Sequence, residues 1–431
     1  MSGRSIESAA MDGTPNGLRS ASDWDRLGEI EDRIFTEGRL RFYSFGVIAS
    51  YLLALIWSLY KGQFLIGDDG RPTCIDFSWM WISGKLAASS APVDAYDYNI
   101  FSSLRVALVG PASCILDHFD YPPTFMLFTY PLSFLPYLIA FAVWIAVTLL
   151  LYGTTIHSII PRPVTVMAAV TPFAVLVNIQ YGHNGFVTAS LIGLSLALME
   201  RRPCVSGILL GLLTFKPQFG ILFPIALLAS RDWCVFFSAV GAVAAISLTA
   251  ALFFGYEGWP LFFHTLIQRD SNLMLDDRLI MVFQSPFGLL RWAGASASVS
   301  WAGHLAVVIV VLLAVCAIWA RPVPHALKAA ALCVGSVMVT PYVLPWDLCI
   351  LSVAVAFLVR DGLQRGFLAG ERLVMLVCWA GLFKPVTPIA PIICAALLSL
   401  VVRRIIACHR LRQVPLLSGG HLSESKVIVA D

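Results

Sequence analysis

The feature that most constrains this chain is a series of apolar runs separated by short polar breaks. The runs lie at about 42–60, 121–157, 164–181, 186–200, 204–215, 217–230, 234–254, 301–320, 326–344, 347–360, 373–386 and 387–402. Because a helix needs about 20 apolar residues to cross a bilayer, the longer runs predict membrane spans. Only 13% of the 431 residues are charged, against about 25% in soluble proteins. The sequence therefore predicts an all-α polytopic membrane protein with about 10–13 transmembrane helices.

This composition excludes a soluble enzyme, a disordered protein and a disulfide-stapled secreted module. The net charge of +3 is too small to indicate nucleic-acid binding. The sequence contains no phosphate-binding glycine loop, no metalloprotease helix motif and no cluster of His and Cys. We therefore expect no nucleotide cofactor and no metal held by protein ligands alone.

Lys and Arg residues are concentrated in breaks that can all lie on one side of the membrane. These residues are Arg162, Arg201, Arg202, Arg231, Arg321, Lys328, Arg360, Arg365, Arg372, Arg403, Arg404, Arg410 and Arg412. The positive-inside rule makes that side cytoplasmic, which predicts a plasma-membrane protein with both termini in the cytoplasm. We expect a disordered tail at 1–40, a membrane domain at 41–402 and a basic, then polar tail at 403–431. Two long loops, about 61–120 and 255–300, would face outward.

The same orientation places most of the unexplained polar residues at the outer surface. They are His183, Asn184, Lys216, Gln218, Tyr342, Asp347 and Lys384, together with Gln284 and Arg291 in the second loop. A lysine in an apolar stretch costs about 2.5–3.5 kcal/mol at mid-bilayer. Lys216, next to Pro217 between two short runs, is therefore expected either to bind an anion such as a lipid phosphate or to snorkel to the interface. Broken helices of this kind are tolerated where they face protein or a wet cavity.

Asp76 precedes an aromatic stretch in the first outer loop, which contains Phe77, Trp79 and Trp81. Such a stretch is typical of a helix that lies in the membrane interface. Asp76 would be either a general base that reaches a lipid-linked substrate or the N-cap of this helix.

Three further residues have two interpretations each. His183 is a catalyst or an ordinary loop histidine. Arg291 binds phosphate with its guanidinium fork or anchors the chain at the interface. Asp347, at the edge of a span, is a second acid/base group or the ion-pair partner of a lysine or arginine.

Cys74 and Cys114 are the only cysteines in the first outer loop. If this loop faces an oxidising compartment, a disulfide between them would persist. It would close a loop of about forty residues and stabilise it by roughly 3–4 kcal/mol. It would also tether Asp76.

Read in order, several short stretches resemble glycosyltransferase family 87, the polytopic C-type glycosyltransferases. The stretches are Asp76 to Trp79, Asp94-Ala95-Tyr96-Asp97, Tyr121-Pro122-Pro123, Gly182-His183-Asn184, Lys216-Pro217-Gln218, Gln284-Ser285 to Arg291, and Thr340-Pro341-Tyr342 to Leu348. The resemblance covers about 41–400. Members that look like lipomannan-pathway enzymes carry histidines near the position of Trp346-Asp347, and this chain does not.

The resemblance implies transfer of a hexose, often mannose, from a polyprenyl-phosphate sugar to a lipid or glycan acceptor on the outer face. The loop aspartate, Asp76, would deprotonate the acceptor hydroxyl, and the anomeric centre would be inverted. Two other interpretations of the layout stay open. One is a transporter or flippase, a class that also uses broken helices and intramembrane charges, and the other is an O-antigen polymerase or ligase.

Overall fold

A computed structural model describes residues 23–68, 70–73, 75–110, 119–273, 282–382 and 387–413, and these residues form an all-α fold. The helices are α1 (Asp23–Ile34), α2 (Glu37–Tyr60), α3 (Asp76–Ala87), α4 (Tyr98–Leu108), α5 (Pro123–Thr129), α6 (Tyr137–Ile159), α7 (Pro163–Ala169), α8 (Phe173–Tyr181), α9 (Gly185–Leu198), α10 (Pro203–Gly211), α11 (Pro217–Gly220), α12 (Leu222–Ser230), α13 (Trp233–Phe254), α14 (Gly258–Leu273), α15 (Pro286–Trp292), α16 (Ala297–Trp319), α17 (His325–Val339), α18 (Cys349–Arg365), α19 (Glu371–Gly381) and α20 (Ala390–Gln413). Short 3₁₀ helices cover Pro92–Tyr96, Tyr130–Phe134, Leu212–Phe215 and Pro345–Leu348.

Five of the described helices are long and apolar enough to cross a membrane: α2, α6, α13, α16 and α20. The pair α7 and α8 makes a sixth if the two helices, bent by 69°, count as one span. Four shorter apolar segments of 10–17 residues, including α9 and α17, lie between them. The prediction of 10–13 spans counted every short apolar run as a membrane crossing. Five or six of the described segments have the full length of a span. The protein is a multi-pass membrane protein.

The short segments form helical pairs whose tips meet at one end of the bundle. The tips lie between α8 and α9, between α10 and α11, and between α17 and α18. The other ends of these helices adjoin Arg201, Arg231, Arg321 and Arg365. At that basic end, the His325 Nε2 atom lies 2.7 Å from the Leu196 carbonyl oxygen, which joins α17 to α9. The bundle therefore has a basic end and, opposite it, a tip end.

Helix α3 is buried within the protein, so its aromatic residues pack on neighbouring helices, and its expected place at the membrane interface stays a prediction. It packs against α4, α5, α6 and two of the 3₁₀ helices. Phe77, Met80 and Ile82 are fully buried, and Trp79 and Trp81 are 4% and 7% exposed. A helix that is apolar on all sides has no polar face to turn toward water, so it is buried.

Residues 23–40 of the tail that we expected to be disordered are largely helical, because α1 begins at Asp23 and α2 at Glu37. Glu31 on α1 is 2% exposed and caps the start of α19. Its carboxylate accepts hydrogen bonds from the Gly370 amide (3.1 Å) and the Leu373 amide (2.8 Å). Capping satisfies amides that have no partner inside the helix. The first described helix is thus attached to one of the last.

A buried ion network lies beside this contact. The Arg404 guanidinium on α20 binds Asp361 (3.0 Å), Glu371 (3.3 Å) and the Gly366 carbonyl oxygen (2.6 Å). Arg404 is 4% exposed, and the two acids are 1% and 2% exposed. Three helices, α18, α19 and α20, are therefore joined by one guanidinium.

We expect Arg404→Met to lower the free energy of unfolding by about 3–5 kcal/mol, because the buried Glu371 loses its paired cation and the buried Asp361 keeps only the partly exposed Arg365. Arg41→Met is the matched control, since the Arg41–Glu37 pair is half exposed at the start of α2 and contributes under about 1 kcal/mol. Thermal unfolding of both variants in one detergent would measure the difference. Equal midpoints would contradict the network.

Candidate active site

An ion pair between Lys216 and Asp347 lies at the centre of the tip end. The Lys216 ammonium donates a hydrogen bond of 2.6 Å to Asp347 Oδ1. Lys216 is 3% exposed and Asp347 is 2% exposed, so neither reaches solvent. Lys216 therefore does not snorkel to the interface; its buried charge is matched by an acid 131 positions away.

Asp347 has both carboxylate oxygens engaged. Oδ1 accepts from Lys216, and Oδ2 accepts from the Leu344 amide at 3.2 Å, in the turn that begins Pro345–Leu348. Of the two interpretations of Asp347, this geometry favours the ion-pair partner. A carboxylate with both oxygens committed is poorly placed to collect a proton from a substrate.

A second contact between tips stacks His183 on Trp346. The ring centroids are 4.1 Å apart and the planes are inclined by 22°. Two glycines allow this approach: Gly182 takes a left-handed conformation (φ 67°), and a Cβ on Gly185 would lie 2.3 Å from the Trp346 carbonyl oxygen. The Trp144 indole N–H donates to the Gly182 carbonyl oxygen at 3.1 Å and fixes the turn from below.

Asp76 reaches the same region from α3. It is the first residue of that helix, Ile75 is the N-cap, and no side chain caps the helix, so Asp76 is not the N-cap. The residue keeps some exposed surface, but its Oδ2 atom is buried and has no hydrogen-bond partner among the described residues. Burial raises the pKa of the Asp76 carboxyl to about 7, and the positive charge of Lys216 acts to lower the pKa. Asp76 is therefore close enough to Lys216 to interact with it electrostatically.

Further buried polar atoms around these residues lack a hydrogen bond within the described part of the chain. They are Trp79 Nε1, the Tyr137 hydroxyl, His183 Nδ1 and Trp346 Nε1. The Asn184 amide lies beside Tyr121 and His183 without reaching hydrogen-bond geometry. Since more than about nine in ten buried polar groups are normally paired, such a concentration is typical of a binding site for a polar ligand or for water.

Aromatic rings line this group of atoms. Trp79 stacks on Tyr121 with centroids 5.0 Å apart, and its edge meets His183 at 5.8 Å. We call Asp76, His183, Lys216, Trp346 and Asp347 the tip cluster. It combines a cation, a carboxyl of raised pKa and aromatic surfaces.

Three other candidates form a neighbouring layer. The Gln284 amide nitrogen donates to the Thr387 carbonyl oxygen (3.3 Å), and the Gln284 Oε1 atom accepts from the Ala390 amide (3.4 Å). Tyr342 packs edge-on against Phe283, and Arg291 donates to the Ala295 carbonyl oxygen (3.0 Å) just beyond the end of α15. The Gln284 backbone N–H also donates to the Val343 carbonyl oxygen at 2.7 Å. The described contacts thus use Gln284 to hold the α17–α18 turn in place and Arg291 to cap its own helix.

The remaining candidates are less informative. Gln218 is half-buried on α11, two residues after Lys216. Cys74, Cys114 and Lys384 lie outside the described residues, so the Cys74–Cys114 disulfide stays a prediction. The absence of a nucleotide or metal requirement stays a prediction too.

Sequence reasoning missed Tyr137 and Trp144. Tyr137 packs on Phe77 with centroids 5.5 Å apart, and both residues sit in an apolar run where an aromatic side chain attracts no notice. They are recognised as part of the site only by their tertiary contacts, Tyr137 with α3 and Trp144 with the Gly182 turn.

The fold and the tip cluster define a multi-pass membrane protein with a buried polar site at one end of its helices, an arrangement suited to a lipid-borne substrate. The model of glycosyltransferase family 87 matches residues 119–341, more than half of the chain. The chain therefore belongs to glycosyltransferase family 87, as the sequence resemblance indicated. Comparison with curated proteins and with solved structures finds no significant match.

We expect Lys216→Met and Asp347→Leu to lower the free energy of unfolding by about 3–5 kcal/mol each, because each change leaves one buried charge alone. The double variant Lys216→Met/Asp347→Leu should lose less than the sum, since neither charge then remains. Lys61→Met, at the exposed end of α2, is the control. Additive losses in thermal unfolding would show that the pair is not coupled.

Proposed function

We propose that this glycosyltransferase moves a hexose, with mannose as the first candidate, from a polyprenyl-phosphate donor to a hydroxyl group of a lipid or glycan acceptor. The observation that carries the proposal is the buried cation Lys216, whose charge acts on Asp76, a carboxyl of raised pKa at the same end of the bundle. A lipid phosphate needs a cation at its leaving oxygen, and an acceptor hydroxyl needs a base.

The chemistry balances with these two groups. The acceptor oxygen attacks the anomeric carbon, the bond from that carbon to the phosphate oxygen breaks, and the phosphate departs with the electron pair. Asp76 takes the hydroxyl proton, and Lys216 stabilises the charge on the phosphate. A single displacement of this kind inverts the anomeric centre.

Lys216 has donors to spare for this role. An ammonium has three N–H groups, and the described geometry commits one of them to Asp347. Asp347 would then orient Lys216 without acting on the substrate. Gln218 and Arg291 are proposed at the edges of the donor site, and Gln284 and Tyr342 as support for the turn that carries Asp347.

The unpaired polar atoms support a sugar as the group between the base and the cation. A hexose ring carries hydroxyls that both donate and accept, and an apolar face that packs on aromatic rings. Trp79, Tyr121, His183, Asn184 and Trp346 offer both kinds of partner.

The direction of the helices supports an active site on the extracytoplasmic side of the plasma membrane. The segment Pro203–Phe215 runs from Arg202 to Lys216, about 20 Å at 1.5 Å per residue. The hydrocarbon core is about 30 Å thick. With the basic end in the cytoplasm, Lys216 lies in the far half of the membrane, and both termini are cytoplasmic.

The test is to incubate the purified protein with polyprenyl-phosphate-linked mannose, glucose or arabinose and an acceptor extract, and to measure released polyprenyl phosphate. Nucleotide-linked mannose is the control donor. Release from one lipid-linked sugar with none from the nucleotide supports the proposal. Turnover of the nucleotide sugar alone would overturn the donor class.

We expect Asp76→Asn to lower the rate by about 10²–10⁴-fold, the usual contribution of a general base. Asp68→Asn is the control, because Asp68 is an exposed turn residue of the same loop. Both variants should unfold at the wild-type temperature or above it. Near wild-type turnover of Asp76→Asn would exclude this residue as the base.

The activity should also depend on pH in a defined direction. A base must be deprotonated to accept a proton, and burial raises the pKa of Asp76 to about 7. We therefore expect kcat/KM to rise as the pH increases through about 7 and to level off above it. An acid limb near pH 4, where an ordinary carboxyl titrates, would contradict a buried base.

The apparent affinity for the donor should depend on Lys216, because its ammonium is proposed to bind the donor phosphate. In the Lys216→Met/Asp347→Leu background, in which no buried charge is stranded, we expect the donor KM to rise about 10–100-fold, the loss of one charged hydrogen bond. Lys61→Met should leave the donor KM unchanged. An unaltered donor KM in the double variant would place the phosphate elsewhere.

A further inference from the structure

Two cysteine thiols lie against each other at the basic end of the bundle, opposite to the tip cluster. Cys204 and Cys234 have their sulfur atoms 2.9 Å apart. Both side chains are exposed, and each residue is the second of its helix, α10 and α13 respectively. No residue proposed for sugar transfer takes part in this contact.

The backbone packing of α10 and α13 imposes this proximity. Gly207 and Gly211 form a G-x-x-x-G pattern, which lets helices approach closely in membranes. A Cβ on Gly207 would lie 2.4 Å from the Val235 carbonyl oxygen, and one on Gly211 would lie 2.4 Å from the Ala242 Cβ atom. The two thiols are thus held together because α10 and α13 approach closely at these two glycines.

The other cysteines of the described residues are differently placed. Cys333, Cys349, Cys378 and Cys394 are buried, and Cys316 and Cys408 are partly buried. The exposed pair combines access for a small oxidant with a partner thiol, the two requirements for reversible oxidation.

We propose that Cys204 and Cys234 form an oxidisable dithiol, which hydrogen peroxide converts into a disulfide that links α10 to α13. The Cys204 thiolate attacks a peroxide oxygen, giving a sulfenic acid and one water. The Cys234 thiolate then attacks the Cys204 sulfur and displaces the hydroxyl as a second water. Two thiols and one peroxide thus give one disulfide and two waters. A disulfide has an S–S bond of about 2.05 Å, so the sulfur atoms need to approach by only about 0.9 Å.

The disulfide would join the two helices on either side of Lys216. Helix α10 leads to Lys216 through Leu212–Phe215, and the chain returns through α11 and α12 to α13. Oxidation would therefore close the segment that carries Lys216 into a covalent loop, at the end opposite to the site.

The test uses the full-length protein in detergent. The reduced protein is treated with hydrogen peroxide, blocked with N-ethylmaleimide and digested with trypsin without reduction. Lys216 is followed by proline, so trypsin cuts between the two cysteines only after Arg231. A disulfide therefore appears as two linked peptides in the mass spectrum. We expect this species, with at least a tenfold loss of alkylation at both cysteines that dithiothreitol restores.

Variants locate the bond. Cys204→Ser and Cys234→Ser should each abolish the linked peptides, whereas Cys408→Ser, a partly buried cysteine of the same end, should retain them. Unlinked and fully alkylatable thiols after peroxide would overturn the proposal. Separate oxidation of either cysteine to a sulfinic acid, without linked peptides, would overturn it as well.

Discussion

The buried ion pair of Lys216 and Asp347 is the interaction on which the tip end depends. Each partner alone would be an uncompensated charge in an apolar interior, where removal of one member of a pair costs several kcal/mol. The pair therefore requires the α10–α11 turn and the α17–α18 turn to meet. The His183–Trp346 stack adds the α8–α9 turn to the same point. Three breaks in apolar helices, each unfavourable by itself, thus stabilise one another.

The two carboxylates near Lys216 differ in what remains available to them. Asp347 uses both oxygens on protein donors, and Asp76 has a buried oxygen without a partner. Environments that separate two acids in this way commonly divide their roles between structure and proton transfer. This difference supports the proposal that Asp76 is the base, the role that the family resemblance also implies.

Much of this arrangement could be predicted from the sequence, and the failures have physical causes. Hydropathy predicted the helical membrane fold, and the cost of a buried charge identified Lys216. The partner of Lys216 could not be predicted, because the sequence does not show which acid lies next to it in the fold. The partner, Asp347, is 131 residues away along the chain. The burial of α3 among other helices was not predicted, since its aromatic residues suit an interface as well as a core. Glu31 was overlooked because its hydrogen-bond donors are backbone N–H groups, which nearly every residue has.

The contact of Glu31 with α19 has a consequence for how the chain is assembled. The carboxylate is synthesised 339 and 342 residues before the two amides it accepts from. Chains fold from the N-terminus as they emerge. The Glu31 carboxylate on α1 therefore lacks these two partners while nearly the whole bundle is inserted. The closing of the molecule is thus timed by the synthesis of α19. A truncated chain that stops before Gly370 would leave both the acid and the first helix without a place to bind, which distinguishes incomplete products from finished ones.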